Sequence, residues 1–309
     1  MRFLLVLAVL VEGLRAPQTL LCRDAKSQQE ITLVGCMHYN PASIALAAKC
    51  VAEAENLGAV VVESCESRWK KTTEVQPARS ALKELLPSEM LAAADAAAAR
   101  GAPLSLGDVD VGELFPRVRA LAVETAGDLA AFPGGWRRIG ADISRGAALA
   151  SGDGLDESLG LRDILDPRLL GGFFVSAVRY PAAAFLKAPV PVGVGFASLL
   201  AGGNALDGAA ASAVDGGVTD PLAYAAIGGA VLAVNVILPV VLLRLLLVAF
   251  LEERNVRLAR SIREAAGRGS VVAILGALHV NGVARLLLSP EDVGPGAAGT
   301  WWDADRPAE

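Results

Sequence analysis

Apolar runs alternate along the chain with segments whose apolar positions follow helical spacing. Strands are predicted at residues 30–34, 59–62, 103–106 and 271–275, and the wholly apolar run at residues 59–62 is typical of a strand buried on both faces of a parallel sheet. Helical patterns occur at residues 40–58, 88–100, 113–128, 252–266 and 281–288. Strands and helices in this alternation form βα units, so we expect an α/β fold with a parallel or mixed sheet.

A hydrophobic insert divides this pattern into two parts, residues 30–130 and 245–290. Residues 131–170 are polar and glycine-rich, and residues 171–251 contain only six charged side chains. Residues 221–243 are uncharged and long enough to cross a bilayer as a helix. Residues 131–244 are therefore predicted to be a mostly helical insert.

Within this insert we predict a transmembrane hairpin, with spans at about residues 172–206 and 221–243. Two spans are needed because the two flanking parts must stay on one side of the membrane if they share a site. Arg244 and Arg254 would then flank the membrane. The alternative is a hydrophobic cap that packs on the fold without crossing a bilayer.

The two ends of the chain differ in character from the predicted domain. Residues 1–20 contain Arg2 and an apolar run of signal-peptide length, so we interpret them as a targeting segment to the secretory route or a plastid. The alternative is a buried helix or strand. Residues 291–309 are rich in Pro, Gly and Asp and are predicted to be a loose tail.

The overall composition favours a membrane partner over a nucleic-acid partner. Hydrophobic residues make up 53% of the chain, which is high for a soluble domain. The net charge is −5, and the basic residues form no stripe that would bind nucleic acid. The four cysteines are not spaced as CxxC pairs and predict no disulfide framework.

Both histidines of the chain occur in the same local context, Gly-x-x-His directly after a predicted strand. His38 follows Gly35, and His279 follows Gly276. Ligands collect beyond the carboxyl ends of strands in open α/β sheets, so the two imidazoles are expected to face one site. Imidazole is the commonest metal-binding side chain. The alternative is that each histidine only completes a turn.

Carboxylates and arginines follow the same predicted strands. Glu63 ends the strand at residues 59–62, and two histidines with one glutamate form a recognised zinc ligand set. Glu66 is a candidate general base, and Arg68 a candidate for binding a substrate carboxylate or pairing with Glu63. Glu66 and Arg68 could equally be the solvated start of a helix.

Further charged residues are candidates for the same site. Asp108 and Asp110 follow the third predicted strand and either join the site or cap the next helix. Arg117 lies on that helix. Glu253 and Arg254 precede the last strand, where such a charge cluster is usually a solvated helix face.

Five motifs in this order resemble those of the TraB family, which is grouped with the Tiki proteins and related to haem-binding ChaN and erythromycin-esterase folds. The motifs are Gly-Cys-Met-His38, Val-Val-Val-Glu63-Ser-Cys65, Leu-Gly-Asp108-Val109-Asp110, Glu253-Arg254-Asn255 and Gly276-Ala-Leu-His279. The resemblance covers about residues 30–130 and 245–290. Val109 departs from it, since the family pattern has Arg at that position.

The resemblance implies a metal-dependent peptidase that uses both Gly-x-x-His motifs and glutamates. With the residues above, we predict a membrane-associated hydrolase in which His38, Glu63 and His279 hold a divalent transition metal such as Zn, Mn or Co. Glu66 would act as base, and Arg68 or Arg254 would stabilise developing charge. The alternative is a non-catalytic regulator or tether in an organelle membrane. A third interpretation, haem binding, rests only on the distant relatives.

Overall fold

A computed structural model of the chain describes residues 18–75, 84–187, 228–229 and 233–290. Most of the predicted targeting segment, the tail at residues 291–309 and residues 188–227 of the predicted hairpin lie outside the described residues. Thr19 and Leu20, the last two residues of the predicted targeting segment, belong to a strand.

The sheet is mixed and has five strands in the order β1-β2-β5-β3-β4. The strands are β1 (Thr19–Arg23), β2 (Glu30–Cys36), β3 (Leu57–Val62), β4 (Leu104–Leu106) and β5 (Ser270–Gly276). β1 pairs antiparallel with β2, and all other neighbours are parallel. The predicted α/β fold with a mixed sheet is confirmed at this level.

Helices connect the strands and cover the sheet. The α-helices are α1 (Pro41–Glu53), α2 (Glu66–Val75), α3 (Glu89–Ala99), α4 (Val111–Ala130), α5 (Gly134–Ser151), α6 (Leu161–Ile164), α7 (Pro167–Lys187), α8 (Leu238–Leu245), α9 (Glu253–Ala265) and α10 (Ala277–Leu288). π-helical turns at Ala233–Ile237 and Leu246–Glu252 flank α8. α8 and α9 thus belong to one long helix, Asn235–Arg268.

Each face of the sheet has its own hydrophobic core. On one face, apolar residues of β2, β3 and β5 pack with α9 and α10, including Leu258, Ile262 and Val283. On the other face, Val60, Val62 and Ile274 pack with residues of α1 and α3. Because both faces are covered, the central strands are apolar at most positions, and this is the pattern that made them visible in the sequence.

The local sequence explains how α1 and α3 begin. Asn40 caps α1 by accepting a hydrogen bond from the Ala42 N–H at 2.9 Å, and Pro41 occupies the first helical turn. Ser88 caps α3 by accepting from the Leu91 N–H at 3.3 Å. These caps fix where each helix starts relative to the strand before it.

The described part of the insert is mostly helical, as predicted, and this includes its polar, glycine-rich segment. Residues 131–170, which are polar and glycine-rich, form α5 and α6 and the start of α7. Gly146 lets α5 approach the long helix closely, since a Cβ there would lie 2.7 Å from Leu247 Cβ. Packing against the apolar long helix therefore stabilises a helix that periodicity alone does not indicate.

Arg244 lies inside this helical layer and does not flank a membrane surface. Its side chain is only 2% exposed and donates to Asp128 of α4 at 2.7 Å and to Asp142 of α5 at 2.6 Å. The expectation that Arg244 extends to a lipid headgroup region is therefore wrong, because two carboxylates of the protein neutralise it.

Two described helices are long and apolar enough to cross a membrane, α7 and the long helix Asn235–Arg268. About a quarter of each apolar window is buried in the protein, 22% and 28%. The membrane association predicted from composition thus keeps support in length and hydropathy, while more than half of the first predicted span, residues 172–206, lies outside the described residues.

Candidate functional site

The parallel strands bring the two Gly-x-x-His motifs to one edge of the sheet. β5 lies between β2 and β3, with Cys36 paired to Gly276 and Val62 paired to Ile274. His38, Glu63 and His279 follow the carboxyl ends of these three neighbouring strands. The topology thus places the three predicted metal ligands side by side.

A tight turn carries His38 from β2 into α1. Tyr39 has φ +60°, in the left-handed region that few residues other than glycine adopt readily. The side chain of Asn40 holds the turn by donating to the Leu169 carbonyl of α7 at 2.9 Å. The site loop is therefore fixed by a helix of the insert as well as by its own cap.

Glu89, the first residue of α3, fixes the orientation of His38. Its carboxylate lies 2.6 Å from His38 Nδ1 and accepts the Tyr39 N–H at 3.0 Å. Burial alone would lower the pKa of His38, but the Glu89 carboxylate raises it to about 9. Because Nδ1 is engaged by Glu89, Nε2 is the nitrogen that faces the site.

Asn255 orients His279 in the same way. His279 lies in the first turn of α10, and its Nδ1 is 2.6 Å from Asn255 Oδ1. Burial lowers the pKa of His279, while the charge of the nearby Glu63 carboxylate opposes this shift. A neutral ring that donates from Nδ1 to the Asn255 carbonyl oxygen leaves Nε2 as an acceptor, 3.5 Å from Glu63 Oε1.

Glu63 lies between the two imidazoles and is almost completely buried. Its Oε2 accepts the Gly276 N–H at 2.5 Å, and its Oε1 accepts from Arg254 Nη2. Burial alone would raise the pKa of Glu63, but His279 and Arg254 lower it to about 2. The carboxylate is therefore ionised at neutral pH.

The three side chains surround Gly276. A Cβ atom at this position would lie 3.1 Å from Glu63 Oε2, 3.4 Å from His38 Nε2 and 3.6 Å from His279 Cδ2. Glycine at position 276 leaves this space open, while the β5 register holds it beside β2 and β3. This clustering around one point is the main geometric feature of the site.

Two arginines and a second carboxylate extend the group. Asp108 accepts from Arg254 Nε at 2.9 Å and also from Arg68 Nη2. Arg254 bridges Asp108 and Glu63. The predicted residues Arg68, Asp108 and Arg254 thus join Glu63 in one ion network in which two positive charges offset two negative ones.

The remaining predicted residues have other roles. Asp110 caps α4 by accepting the Gly112 N–H at 2.8 Å and also accepts from Ser67 Oγ at 2.9 Å, as its capping alternative predicts. Arg117 and Glu253 pair with each other at 2.8 Å. Gly35 permits close packing, since a Cβ there would lie 2.6 Å from Leu159 Cδ1.

Glu66, the predicted general base, is not brought to this group. It is exposed at the start of α2, where it lines a surface cleft together with Trp69, Arg257 and Ser261. The first turn of α2 directs the side chain outward although it is only three residues from Glu63. Spacing along the sequence did not reveal this change of direction.

Helix α7 covers the site loop, which the sequence did not predict. Ser176 donates to the His38 carbonyl, and the Tyr180 ring stacks on the His38 ring with centroids 6.0 Å apart. Lys187 Nζ donates to the Tyr39 hydroxyl at 2.9 Å. The insert thus contributes directly to the surroundings of His38.

The proposed metal ligands lie near one another but do not form a compact ligand cluster. Among the described residues, no three His, Cys, Asp or Glu side chains are grouped closely enough to hold a metal ion. The donor chemistry nevertheless fits, because each imidazole has Nδ1 engaged by a partner and Nε2 directed inward. Histidines that ligate metals usually show this arrangement.

Comparison with family models, curated proteins and solved structures finds no match to this chain. The resemblance to the TraB family therefore rests on the five motifs and stays a prediction.

Proposed function

We propose that this chain is a membrane-associated, metal-dependent hydrolase that acts on peptides. The observation that carries the proposal is the position of Glu63 Oε2, His38 Nε2 and the His279 ring, all within 3.6 Å of one point at Gly276. These groups come from three different strand ends, and such convergence at the carboxyl edge of a sheet is typical of a ligand site.

The two imidazoles and Glu63 are the proposed ligands of Zn, Mn or Co. Bound to them, such a metal would polarise a carbonyl group and activate water. Glu89 and Asn255 keep each Nε2 directed inward, so little reorganisation of the rings is needed. The third interpretation, haem, finds no specific support in these contacts.

The charged residues around this centre have distinct proposed roles. Arg68 lies at the outer edge of the group and is the better placed arginine for an incoming substrate carboxylate. Arg254 lies deeper and stabilises negative charge next to Glu63. Glu63 takes the role of third ligand, while Glu66, the predicted base, faces a different part of the surface.

Membrane association is proposed from the two apolar helices. Both meet the length and hydropathy required to cross a bilayer. Exposed apolar side chains lie along both, including Phe174 and Val178 of α7 and Leu242 and Leu246 of the long helix. Soluble proteins rarely expose such continuous apolar faces.

A non-catalytic regulator or tether is the second candidate, and one observation favours it. Both oxygens of Glu63 already have partners, Arg254 on one and the Gly276 N–H on the other. An ion network in which the Glu63 oxygens are already bonded would stabilise the fold equally well in a protein without catalytic activity. Val109, where the TraB pattern has Arg, points the same way.

The deciding experiment is the metal content of the detergent-purified chain by elemental mass spectrometry. The variants are a His38→Ala/His279→Ala double substitution and, as control for metal held by thiols, Cys22→Ser. We expect about one equivalent of a transition metal in the wild type and in Cys22→Ser, and none in the double variant. Metal-free wild type after soaking in Zn, Mn or Co would favour the regulator.

A further inference from the structure

The site opens to the outside at one edge only, within the part of the chain that the structure describes. The side chains of Glu63, Asp108 and His279 are at most 7% exposed, and Arg254 is 11% exposed. His38 is 29% exposed and Arg68 is 39% exposed. A substrate must therefore approach along His38 and Arg68.

Helix α7 forms the border of this opening. It contacts α2, which carries Arg68, and the Tyr180 ring stacks on His38. At the end of α7, Lys187 Nζ lies over the Tyr39 ring, 5.7 Å from its centroid, and donates to the Tyr39 hydroxyl at 2.9 Å. Two cations thus border the entrance, together with aromatic rings that suit an apolar group.

Only a narrow stripe of α7 packs on the protein. The buried positions are Leu169, Gly172, Ser176 and Ala183, which share one face at helical spacing. Most of the remaining surface is apolar and exposed, with Phe174 77% and Val178 72% exposed. The charged residues of this helix are all cationic, Arg168, Arg179 and Lys187. Exposed apolar faces with basic residues are typical of helices that lie in an anionic membrane surface.

The sequence that follows α7 indicates that a bilayer covers this face. Beyond Lys187 the chain continues into residues 188–206, which contain no charged side chain over 19 positions. A second apolar helix, Asn235–Arg268, begins in the same insert. A partner protein would not account for this uncharged continuation, whereas a lipid surface does.

We propose that the substrate of this site is an anionic amphiphile that stays anchored in the bilayer. Its hydrocarbon chain lies along the exposed face of α7, and its anionic group enters between Arg68 and Lys187 beside His38. The proposal rests on the proposed hydrolase function and narrows its peptide substrates to amphiphiles that carry a hydrocarbon chain and an anionic group. Binding itself needs only side chains of α2, α7 and the site loop.

The test is equilibrium binding to the full chain, purified in dodecyl maltoside and treated with chelator. The three probes are N-dodecanoylglycine, its uncharged methyl ester, and N-acetylglycine, which lacks the hydrocarbon chain. We expect N-dodecanoylglycine to bind at least about tenfold more tightly than either other probe, since only it offers both features. Lys187→Ala should weaken its binding about tenfold, and the control Arg168→Ala, at the other end of α7, should leave it unchanged.

Equal affinity of the acid and its methyl ester for the wild type would overturn the proposal, as would unchanged binding by a folded Lys187→Ala variant. Should that variant not fold, the comparison of acid and ester on the wild type decides alone. A detergent-stable dimer that Phe174→Ser dissociates would also overturn it, because a second copy would then cover α7. Tighter binding of N-dodecanoylglycine by a protein that holds no metal would support this entrance and contradict the proposed hydrolase. Bound metal together with equal affinity for all three probes would support the hydrolase and contradict this entrance.

Discussion

Nδ1 of His38 lies 2.6 Å from Oε1 of Glu89, a residue 51 positions further along the chain. The second oxygen of Glu89 accepts the Tyr39 N–H, so one buried carboxylate holds both the ring and the backbone of the site loop. Glu89 touches neither Glu63 nor His279 through these bonds. It is a positioning residue, and its effect on function passes through His38.

Replacing Glu89 tests this positioning. We expect Glu89→Gln to weaken binding of a divalent transition metal by about 10–100-fold, because the His38 ring loses the charged partner that orients it and increases its basicity. Metal titration followed by isothermal calorimetry measures this. The exposed Glu84, which precedes the same helix, supplies the control Glu84→Gln. Equal metal affinity in both variants would show that Glu89 only stabilises the turn.

Because residue 276 is a glycine, no side chain occupies the space at the centre of the site. We expect Gly276→Ala to lose most of its bound metal while changing the free energy of unfolding by only about 1 kcal/mol. The reason is that the new Cβ would lie 3.1 Å from Glu63 Oε2 and 3.4 Å from His38 Nε2, in the space that donors must share. Elemental analysis and chemical denaturation measure the two effects.

The matched control for this substitution is Gly267→Ala, since nothing lies within 4 Å of a Cβ at position 267. Retention of full metal content by Gly276→Ala would place the metal elsewhere.

Arg254 neutralises two buried carboxylates, Glu63 and Asp108. We expect Arg254→Ala to lower the free energy of unfolding by about 3–5 kcal/mol, because it leaves buried charge without its partner. Arg260→Ala on the same helix removes an exposed pair with Glu264 and should cost less than about 1 kcal/mol. Denaturant unfolding of both variants makes the comparison, and similar losses would mean that the network contributes little.

The ionised Asp24 makes the free energy of unfolding depend on pH. Burial alone would raise the pKa of Asp24, but the Ser27 N–H and the Arg263 guanidinium lower it below its ordinary value of 3.8. The resulting stabilisation is present above pH 3.8 and is lost as the pH falls through the lower pKa of the folded state.

We therefore expect Asp24→Asn to cost about 3 kcal/mol at neutral pH, and the difference from wild type to shrink in acid. Denaturant unfolding at pH 7 and near pH 3 measures it. The exposed Glu53, 3.9 Å from Lys49, provides the control Glu53→Gln. A difference that stayed constant with pH would exclude an ionised Asp24 as its source.

The sequence predicted the central strands and the Gly-x-x-His edge because burial on both faces leaves a plain apolar pattern. It did not reveal β1, an edge strand in which Leu21 is 53% exposed, because half-exposed strands lack such a pattern. Nor did it reveal α5, whose stability comes from packing on the long helix. In both cases the deciding contacts are made with distant parts of the chain.

The same limit applies to the site. His38, Glu63, Asp108 and His279 could be found because each follows a recognisable strand. Glu89 could not, since an acidic residue in the first turn of a helix ordinarily complements the helix dipole. Its contact with His38 depends on how α3 packs beside α1, and no local pattern encodes that arrangement.

The position of β5 has a consequence for how the chain acquires activity during synthesis. β2 and β3 are made early, but they are not neighbours in the sheet, and β5, which fills the gap between them, is translated after the other four described strands. The same late segment of the chain contains Arg254, Asn255 and His279. A nascent chain in which β5 has not yet paired with β2 and β3 therefore contains half a site, and the proposed hydrolase stays inert until that pairing is complete.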